Sequence, residues 1–225
     1  MTDYPRTIAI LGGTGAEGSG LAKRWAHAGH RVILGSRTPE KGARASAEIN
    51  ASVGSNSVSF LDNRSASAQA DIVVLTVPFS AQRATVEEVR DALAGKVLVD
   101  ATVPLVPPKV SRAQLPSGGS SVAAIQALLG EEVRVVSAFQ NVSAHALSHL
   151  DKQVDCDVLV CGDDPDAREL VVGLARDLGL RGFHAGPICN SVAAEALTSL
   201  LIAINQRYKV PCAGIRITGV PDDST

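Results

Sequence analysis

The sequence has few aromatic side chains, few cysteines and no marked excess of charge. Aromatic residues make up only 3% of its 225 residues, which argues against a stacking platform for single-stranded nucleic acid. The net charge is −2 and no basic block is present, so we expect no nucleic acid partner. The four cysteines, Cys156, Cys161, Cys189 and Cys212, form neither a CxxC pair nor a zinc-binding spacing. We therefore expect reduced thiols, a cytoplasmic location and no metal site.

Long hydrophobic runs are also absent. No apolar run reaches the roughly 18 residues that span a bilayer, and residues 1–7 lack the basic and apolar regions of a signal peptide. We therefore expect no membrane partner. Hydrophobic residues make up 45% of the chain and charged residues 20%, which is typical of a globular protein. A chain of this length can bury one core and a small appendage.

Glycine, in contrast, is concentrated near the start of the chain. The segment AILGGTGAEGSG, residues 9–20, holds five of the 20 glycines, although glycine loses more backbone entropy on folding than any other residue. The segment follows a short β-branched apolar run, TIAIL, which is typical of a buried strand. Apolar residues with helical spacing follow it, at Leu21, Trp25 and Ala28. The glycines are therefore predicted to join a strand to a helix.

These glycines fit the GxGxxG pattern of dinucleotide-binding proteins. In that pattern Gly13 allows a tight turn, Gly15 lets a diphosphate approach the main chain, and Gly18 lets the helix lie close to the strand. Backbone N–H groups at the start of the helix then hold the phosphates. The position of the pattern, between a strand and a helix and before the second strand RVILG, predicts a dinucleotide cofactor.

The residues after the second strand indicate which dinucleotide is bound. Sites that select NAD usually carry Asp or Glu here, hydrogen-bonded to the adenosine ribose. This chain has Ser36 and Arg37 instead, and Lys41 follows one helical turn later. A hydroxyl donor, a planar guanidinium and an ammonium group together suit a 2′-phosphate. The sequence therefore predicts NADP rather than NAD.

The rest of the chain continues the alternation of strands and helices. Strands are predicted for SVSFL, DIVVLTVP, KVLVDAT, VRVVSAF and CDVLVCG, and helices for residues 80–95, 120–130, 164–179 and 190–208. The tail AGIRITG is considered as an extra strand. This pattern predicts an α/β, Rossmann-like doubly wound, mostly parallel sheet with a short C-terminal helical extension. We assign residues 1–150 to the NADP-binding domain and 151–225 to a part that completes the sheet and closes the cleft.

Ligands in such sheets lie beyond the carboxyl ends of the strands. Three segments should therefore lie near the cofactor: 77–79 after the fourth strand, 101–105 after the fifth and 139–144 after the sixth. No convincing acid–base constellation occurs among them.

Six segments, taken in order, resemble the NADPH-dependent reductases of the deazaflavin coenzyme F420. They are ILGGTGAEGSGLA, VILGSRTPEKG, DIVVLTVPF, VVSAF, DVLVCGDDPDARELV and AGPICNSVAAEALTSLLIAIN. The tail INQRYKVPCAGIRITGV is similar to the C-terminus of bacterial members, so the resemblance covers nearly the whole chain. It implies a cytoplasmic, homodimeric oxidoreductase that passes a hydride reversibly between NADP(H) and coenzyme F420, with small-molecule partners only.

The resemblance also implies which residues hold the two molecules. NADP contacts are expected at Gly13, Thr14, Gly15, Ala16, Glu17, Ser36, Arg37, Lys41, Val77, Phe79, Arg83, Leu105 and Ala144. The deazaflavin is expected beside Phe139, Gln140, Asn141, Val142, Ser143, Leu197 and Leu201. No catalytic residue is expected, because hydride transfer between two stacked rings needs distance control and water exclusion more than a protein acid.

One departure from the family concerns the second substrate. Relatives carry histidine after the sixth strand, where this chain has Gln140 and Asn141. Amides can hydrogen-bond a carbonyl or a ring nitrogen, but unlike histidine they supply no proton near neutral pH. Two alternatives therefore stay open: an NADPH-dependent reductase of a flavin or another acceptor, and a non-catalytic NADPH-binding regulatory module.

Four further side chains have simpler interpretations. His145 and His149 are spaced as zinc ligands are, but we expect a surface or substrate-lining pair, because the glutamate of an HExxH site is missing. Cys189 is expected to be a small buried filler. Glu195 lies in a largely apolar helix and is expected to be partly exposed.

Overall fold

Short apolar runs rich in valine, isoleucine and leucine form the strands. The computed structural model describes residues 5–220. Its strands are β1 (Thr7–Leu11), β2 (Arg31–Gly35), β3 (Val58–Leu61), β4 (Ile72–Leu75), β5 (Val97–Asp100), β6 (Arg134–Ser137), β7 (Asp157–Gly162) and β8 (Arg181–His184). The strands form one sheet in the order β3-β2-β1-β4-β5-β6-β7-β8. Neighbours are parallel except β6 and β7, which are antiparallel. The predicted Rossmann-like, mostly parallel sheet is confirmed.

Helices connect the strands. They are α1 (Ala16–His27), α2 (Pro39–Val53), α3 (Asn63–Gln69), α4 (Phe79–Val89), α5 (Ser121–Leu129), α6 (Ala144–Leu147), α7 (Pro165–Asp177) and α8 (Ser191–Tyr208). Proline occupies the first turn of α2 and of α7, where its missing N–H leaves no hydrogen bond unmade. Side chains cap two further starts: Ser120 accepts from the N–H of Ala123, and Asp62 accepts from that of Ser65.

The sheet is covered on both faces. Alternate residues of β1 divide between the two layers, so that Ile8 and Ile10 lie in one apolar cluster with Trp25. Ala9 and Leu11 lie in the other cluster. Trp25 is fully buried, and burying a side chain of that size stabilises the fold by roughly 2–3 kcal/mol. Continuous apolar strands of this kind require helices on both faces.

The strand order reverses at the centre of the sheet. The chain moves from β1 outward to β2 and β3, returns to β4 beside β1, and then proceeds in the opposite direction. The loops after β1 and β4 therefore separate and leave a crevice at the carboxyl edge, which is where ligands of such sheets bind. Residues 77–79, 101–105 and 139–144 follow three of these strands, as predicted from the sequence.

Four parts of the chain differ from the sequence prediction. Helix α3 and strand β8 were not predicted, and helix α4 ends at Val89, followed by a single 3-10 turn, Arg90–Ala92, rather than continuing to Gly95. The tail, considered as an extra strand, forms none within residues 5–220. It runs along the start of β7 instead, where the carbonyl of Ile215 accepts from the N–H of Asp157 and the N–H of Ile217 donates to the Asp157 carboxylate.

The ion pair between Asp157 and Arg181 joins β7, β8 and this tail. The Asp157 carboxylate is buried and accepts from Arg181 Nε at 2.9 Å and Nη2 at 2.8 Å. Burial alone would raise the pKa of Asp157, but the bonds from Arg181 and from the N–H of Ile217 hold that pKa below its usual value. The carboxylate is therefore charged over the whole physiological range.

Within residues 5–220, one helical stretch, Ile188–Tyr208, is long and apolar enough to cross a membrane by length and composition. The stretch is not an uninterrupted apolar run, because Glu195 and Asn205 divide it. Only 33% of the most apolar part of this stretch is buried. A single helix of this kind is weak support for a membrane span, since core helices of soluble proteins pass the same test. The absence of a membrane partner stays a prediction.

Candidate functional site

The turn between β1 and α1 lies at the crevice and leaves no space for side chains. Gly12 has a positive φ of 86°, and the N–H of Gly13 donates to the carbonyl of Ile10 at 3.1 Å. A Cβ at Gly18 would lie 2.6 Å from Thr76 Oγ1 and 2.7 Å from the Gly12 carbonyl oxygen. Glycine at these positions lets the start of α1 approach β4, so that its free N–H groups face the crevice.

A cavity of about 1110 Å³ runs along the carboxyl edge of the sheet. Its walls come from the β1–α1 turn, the ends of β2, β4, β5 and β6, and helix α8. We define its β2 end as Ser36, Arg37 and Lys41, and its β6 end as Phe139, Gln140, Val142 and Ala144. The volume exceeds that of most small-molecule sites, as a dinucleotide and a second substrate together require.

The β2 end offers two cationic side chains to a ligand. Arg37 and Lys41 are exposed, and in the part of the chain that the structure describes neither side chain makes a hydrogen bond or an ion pair. Ser36 Oγ is already engaged, because it donates to the carbonyl of Thr38 at 2.8 Å and accepts from the Thr38 N–H at 3.3 Å. This local ring fixes the turn that presents Arg37 to the cavity.

The β6 end begins with a residue in an uncommon backbone conformation. Phe139 has a φ of 74°, which costs a residue with a side chain about 1–3 kcal/mol and is concentrated at functional sites. Its buried ring meets Trp25 edge to face, with the centroids 5.7 Å apart. This aromatic contact holds the strained turn, and the turn sets where the next residue points.

Gln140 is fixed by three hydrogen bonds. Its amide Nε2 donates to the carbonyl of Asp100 at 2.7 Å and to Ser137 Oγ at 2.8 Å. The main-chain carbonyl of Gln140 accepts a hydrogen bond from Thr198 Oγ1, on α8, at 2.8 Å. The side-chain oxygen Oε1 is buried and has no partner among residues 5–220, which leaves one acceptor available in a residue that lines the cavity.

Asn141 occupies a different environment from Gln140. Its side chain is buried and does not line the cavity. The amide Nδ2 donates to the carbonyl of Asp157 at 2.7 Å and contacts Cys156 Sγ at 3.3 Å. Of the two amide residues after Phe139, only Gln140 therefore faces the cavity.

Asp100 lies behind Gln140 at the end of β5. It is fully buried and accepts from Gln82 Nε2 at 2.7 Å and from the N–H of Thr102 at 2.8 Å. Burial raises the pKa of Asp100 to about 6, although the bonds from Thr102 and Gln82 oppose the rise. The negative charge of Glu195 raises the pKa of Asp100 further. Two carboxyl groups therefore lie close together behind this part of the cavity wall.

The expectation that Glu195 is partly exposed was wrong. Its side chain is 1% exposed and accepts four hydrogen bonds at the start of α5. The donors are Ser120 Oγ at 2.6 Å, the Ser121 N–H at 2.8 Å, Ser121 Oγ at 2.9 Å and the Val122 N–H at 3.2 Å. A helix N-terminus stabilises such a carboxylate, so this cluster fastens α8 to α5 and to the sheet.

Glu17 is a titratable residue of the cavity wall whose environment the sequence did not reveal. Its carboxyl oxygen Oε1 is shielded from solvent and has no hydrogen-bond partner in the described part of the chain. Burial raises the pKa of Glu17 to about 8. The resemblance named Glu17 only as a member of the glycine-rich turn, and no local sequence signal shows that its carboxyl group is desolvated.

The remaining candidates form no second site. The rings of His145 and His149 lie 4.8 Å apart, but no group of three metal-ligating side chains occurs within residues 5–220. His184 contacts Glu169 at 3.0 Å, on the surface. Cys189 was expected to be buried and is exposed, because it lies in the 3-10 turn before α8 rather than inside the core.

The cavity brings together most of the residues that the sequence and the resemblance named. Those that line it are Thr14, Gly15, Ala16, Glu17, Ser36, Arg37, Lys41, Val77, Phe79, Leu105, Phe139, Gln140, Val142 and Ala144. Those that do not line it are Gly13, Arg83, Asn141, Ser143, Leu197 and Leu201. Arg83 is exposed and paired with Glu87 at 2.9 Å. Helix α8 contributes Thr198 and Ile202 to the wall, which the sequence analysis did not name. The ligand contacts of all these residues stay predictions.

A doubly wound sheet, a glycine-rich turn at its switch point and a large cavity beside it define a dinucleotide-binding oxidoreductase. Residues 7–104 match the family model described as NADP oxidoreductase, coenzyme F420-dependent. The chain is 42% identical to the F420-dependent NADP reductase of Methanothermobacter thermautotrophicus, with 96% of each chain covered. It is 39% identical to that of Methanocaldococcus jannaschii, covering 95% of this chain and 98% of the relative. The chain belongs to the family of F420-dependent NADP reductases.

A solved structure supports the same assignment. It is described as a putative F420-dependent NADP-reductase from Arthrobacter sp. FB24 and superposes with a TM-score of 0.80 at 25% sequence identity. The superposition covers 95% of this chain and 99% of the other. The similarity therefore extends over nearly all of residues 1–150 and 151–225.

The Glu195 cluster generates a prediction about stability. Replacing Glu195 with glutamine substitutes an amide donor for one carboxylate oxygen, so that at least one buried donor among Ser120, Ser121 and Val122 loses its partner. We expect the free energy of unfolding to fall by about 2–3 kcal/mol, as measured by urea denaturation at pH 7.

The matched control is Glu48→Gln on α2. Glu48 is exposed and pairs only with Arg44 at 3.7 Å, so the change should stay within about 0.5 kcal/mol. An equal loss in the two variants would contradict the role given to the cluster.

Proposed function

We propose that this chain transfers a hydride reversibly between NADP(H) and coenzyme F420, with both molecules in the cavity described above. The observation that carries the proposal is one continuous cavity with two cations at the β2 end and a packed, largely neutral wall at the β6 end. Within residues 5–220 neither cation makes an ion pair. Relatives about 40% identical over nearly the whole chain are described as F420-dependent NADP reductases, which supports the same pair of substrates.

The residues present fit the nucleotide. Gly15 is exposed at the start of α1 and lacks a side chain that would keep a diphosphate from the helix N–H groups. Arg37 and Lys41 have donors available for a 2′-phosphate, and Arg37 can offer two parallel N–H groups to it. The two positions directly after β2 are Ser36 and Arg37, so no carboxylate stands there to repel that phosphate. The adenosine half would therefore lie at the β2 end, and the nicotinamide would extend toward the β6 end.

When bound, NADPH supplies the hydride of its reduced ring and coenzyme F420 accepts it. The task of the chain is to hold two rings in contact and to exclude water. Phe139 is held by Trp25 and fixes the start of the β6 end. Gln140 Oε1 is rigidly placed, because the amide nitrogen of the same group is engaged on Asp100 and Ser137. It can accept one hydrogen bond from a ring N–H or amide, but it supplies no proton.

Helix α8 has the position to close the cleft. Thr198 and Ile202 lie on its cavity side, and the Glu195 cluster anchors the helix one turn earlier. We propose that the deazaflavin lies between this side of α8 and the β6 end. The side chains predicted from the resemblance, Leu197 and Leu201, would then support the ring from within the helix packing.

The choice of acceptor is tested by mixing purified protein with NADPH and oxidised coenzyme F420 while following the deazaflavin absorbance. We expect rapid loss of that absorbance, and no reduction of free flavin in a parallel sample. Reduction of free flavin alone would favour a flavin reductase. Binding of NADPH without reduction of either acceptor would favour a regulatory module.

The selectivity for NADP is tested with Arg37→Asp. Loss of a charge-assisted pair and gain of a repulsive carboxylate should weaken NADPH binding on the order of 100-fold. The affinity for NADH, which has no 2′-phosphate, should fall little or improve. Arg176→Asp, an exposed arginine on α7, is the control for net charge and should leave the dissociation constant of NADPH unchanged. If the two variants bind NADPH equally well, the 2′-phosphate assignment is wrong.

We also propose a homodimer through the outer side of α8. Leu200, Ile204 and Tyr208 are 51%, 41% and 72% exposed, and their spacing of four places them in one stripe opposite Thr198 and Ile202. Exposed apolar stripes of this kind are typical of protein interfaces. A cytoplasmic location is proposed as well, which the four unpaired cysteines support.

The dimer is tested by sedimentation of the intact chain and of Leu200→Lys. We expect twice the mass of the chain for the natural sequence and a shift toward the monomer for the variant, because a buried lysine opposite its symmetry mate is both desolvated and repelled. The matched control, Lys209→Gln, changes an exposed residue at the end of α8 and should not alter the mass. A monomer at all concentrations would contradict the proposal.

A further inference from the structure

Glu17 is a half-buried residue of the cavity wall, and one of its carboxyl oxygens is shielded from solvent without a partner among residues 5–220. It is the second residue of α1, and its Oε1 is shielded from solvent without a hydrogen-bond partner. Two fully buried carboxyl groups near the cavity, Asp100 and Glu195, each accept several hydrogen bonds. Because Glu17 Oε1 lacks such hydrogen bonds, we infer that its partner is a ligand.

The direction of the Glu17 side chain follows from the contacts of its helix. Glu17, Gly20 and Arg24 share one face of α1 because they are three and seven residues apart. A Cβ at Gly20 would lie 2.7 Å from Leu147 Cβ, and Arg24 Nε donates to the carbonyl of Leu147 at 3.0 Å. This face is therefore directed toward α6, which begins at Ala144 in the β6 end of the cavity. Glu17 thus lies away from Arg37 and Lys41.

The protonation of Glu17 is set by burial alone, which raises its pKa to about 8. No neighbouring charge contributes to this rise. The ionisable groups on the elements packed against Glu17 are Lys23, Arg24 and His27 on α1, Arg31 on β2, Glu40, Lys41, Arg44 and Glu48 on α2, His145 on α6, and Asp166, Arg168, Glu169, Arg176 and Asp177 on α7. At neutral pH the group is therefore largely an uncharged acid, and it becomes a carboxylate above pH 8.

We propose that Glu17 is the residue that makes the relative affinity for NADP+ and NADPH depend on pH. The inference rests on the proposed function, because it requires the nicotinamide to reach the β6 end. The nicotinamide ring carries a positive charge in NADP+ and none in NADPH. A carboxylate in a poorly solvated wall attracts the charged ring strongly and gains nothing comparable from the neutral one.

The sign of the effect follows from linkage. Bound NADP+ stabilises the ionised form of Glu17 and lowers its pKa, whereas bound NADPH leaves the acid form favoured. As the pH rises through the pKa of the free protein, NADP+ binds progressively better than NADPH. A difference of one pKa unit between the two complexes changes the affinity ratio tenfold.

The test is a set of calorimetric binding titrations between pH 7 and pH 9.5 with three ligands: NADP+, NADPH and 2′-phospho-ADP-ribose, which lacks the nicotinamide. For the natural sequence we expect the ratio of the NADPH to the NADP+ dissociation constant to rise about tenfold over this range. NADP+ binding near pH 8 should also release protons, detected by comparing buffers of different ionisation enthalpy. In Glu17→Gln, which has nearly the same shape but no charge, the ratio should be constant and the proton release lost.

Two controls keep the result interpretable. Glu17→Leu provides a second uncharged side chain, so that a folding defect in one variant does not decide the outcome. The ligand without nicotinamide separates two effects, because a Glu17 carboxylate that merely repelled the phosphates would weaken all three ligands equally at high pH. Equal weakening, a constant ratio in the natural sequence, or the same rise in Glu17→Gln would each overturn the inference. Absence of any NADP binding would instead overturn the proposed function, and the inference with it.

Discussion

The close approach of the glycine-rich turn to Thr76 is the constraint on which the site depends. Helix α1 can begin beside β4 only because a Cβ at Gly18, which would lie 2.6 Å from Thr76 Oγ1, is absent. That start places the free N–H groups at the crevice. It also fixes the face of α1 that meets α6, through Gly20 and Arg24. The geometry of one turn therefore positions both the phosphate end and the β6 end of a single cavity.

The distribution of negative charge around the cavity follows from the same geometry. The proposed substrates carry several phosphates, so an unscreened carboxylate in the wall would oppose binding. Glu195 accepts hydrogen bonds from the donors that begin α5, and Asp100 accepts them from Gln82 and the N–H of Thr102. Glu17 has neither arrangement, and burial keeps it largely protonated near neutral pH. The cations, in contrast, are exposed at the β2 end, where a 2′-phosphate would lie.

Much of the fold could be predicted from the sequence because its strands are continuous apolar runs separated by amphipathic helices. The glycine pattern was also informative, because the close approach of α1 to β1 and β4 requires glycine at fixed positions of the sequence. Helix α3 was missed because NRSASAQ has no apolar periodicity and is set by the cap from Asp62. Strand β8, RGFH, is short and depends on pairing with β7 and on Arg181 bonded to Asp157.

The side-chain environments of the site were much less predictable. Glu195 looked exposed because the donors that bury it lie about 75 residues earlier in the chain. Gln140 and Asn141 are adjacent in sequence, yet the turn at Phe139 directs one to the cavity and the other to β7. Such differences arise from the packing of distant segments, and neither composition nor periodicity reports them.

The central claim is that one cavity holds a nicotinamide and a deazaflavin in direct contact. It is tested most directly with NADPH carrying deuterium at both C4 positions, followed by mass spectrometry of the reduced coenzyme F420. The account predicts one deuterium retained in each reduced molecule, because the hydride passes between the rings without meeting water. Reduced coenzyme that contains hydrogen from the solvent at the reacting carbon would contradict the account.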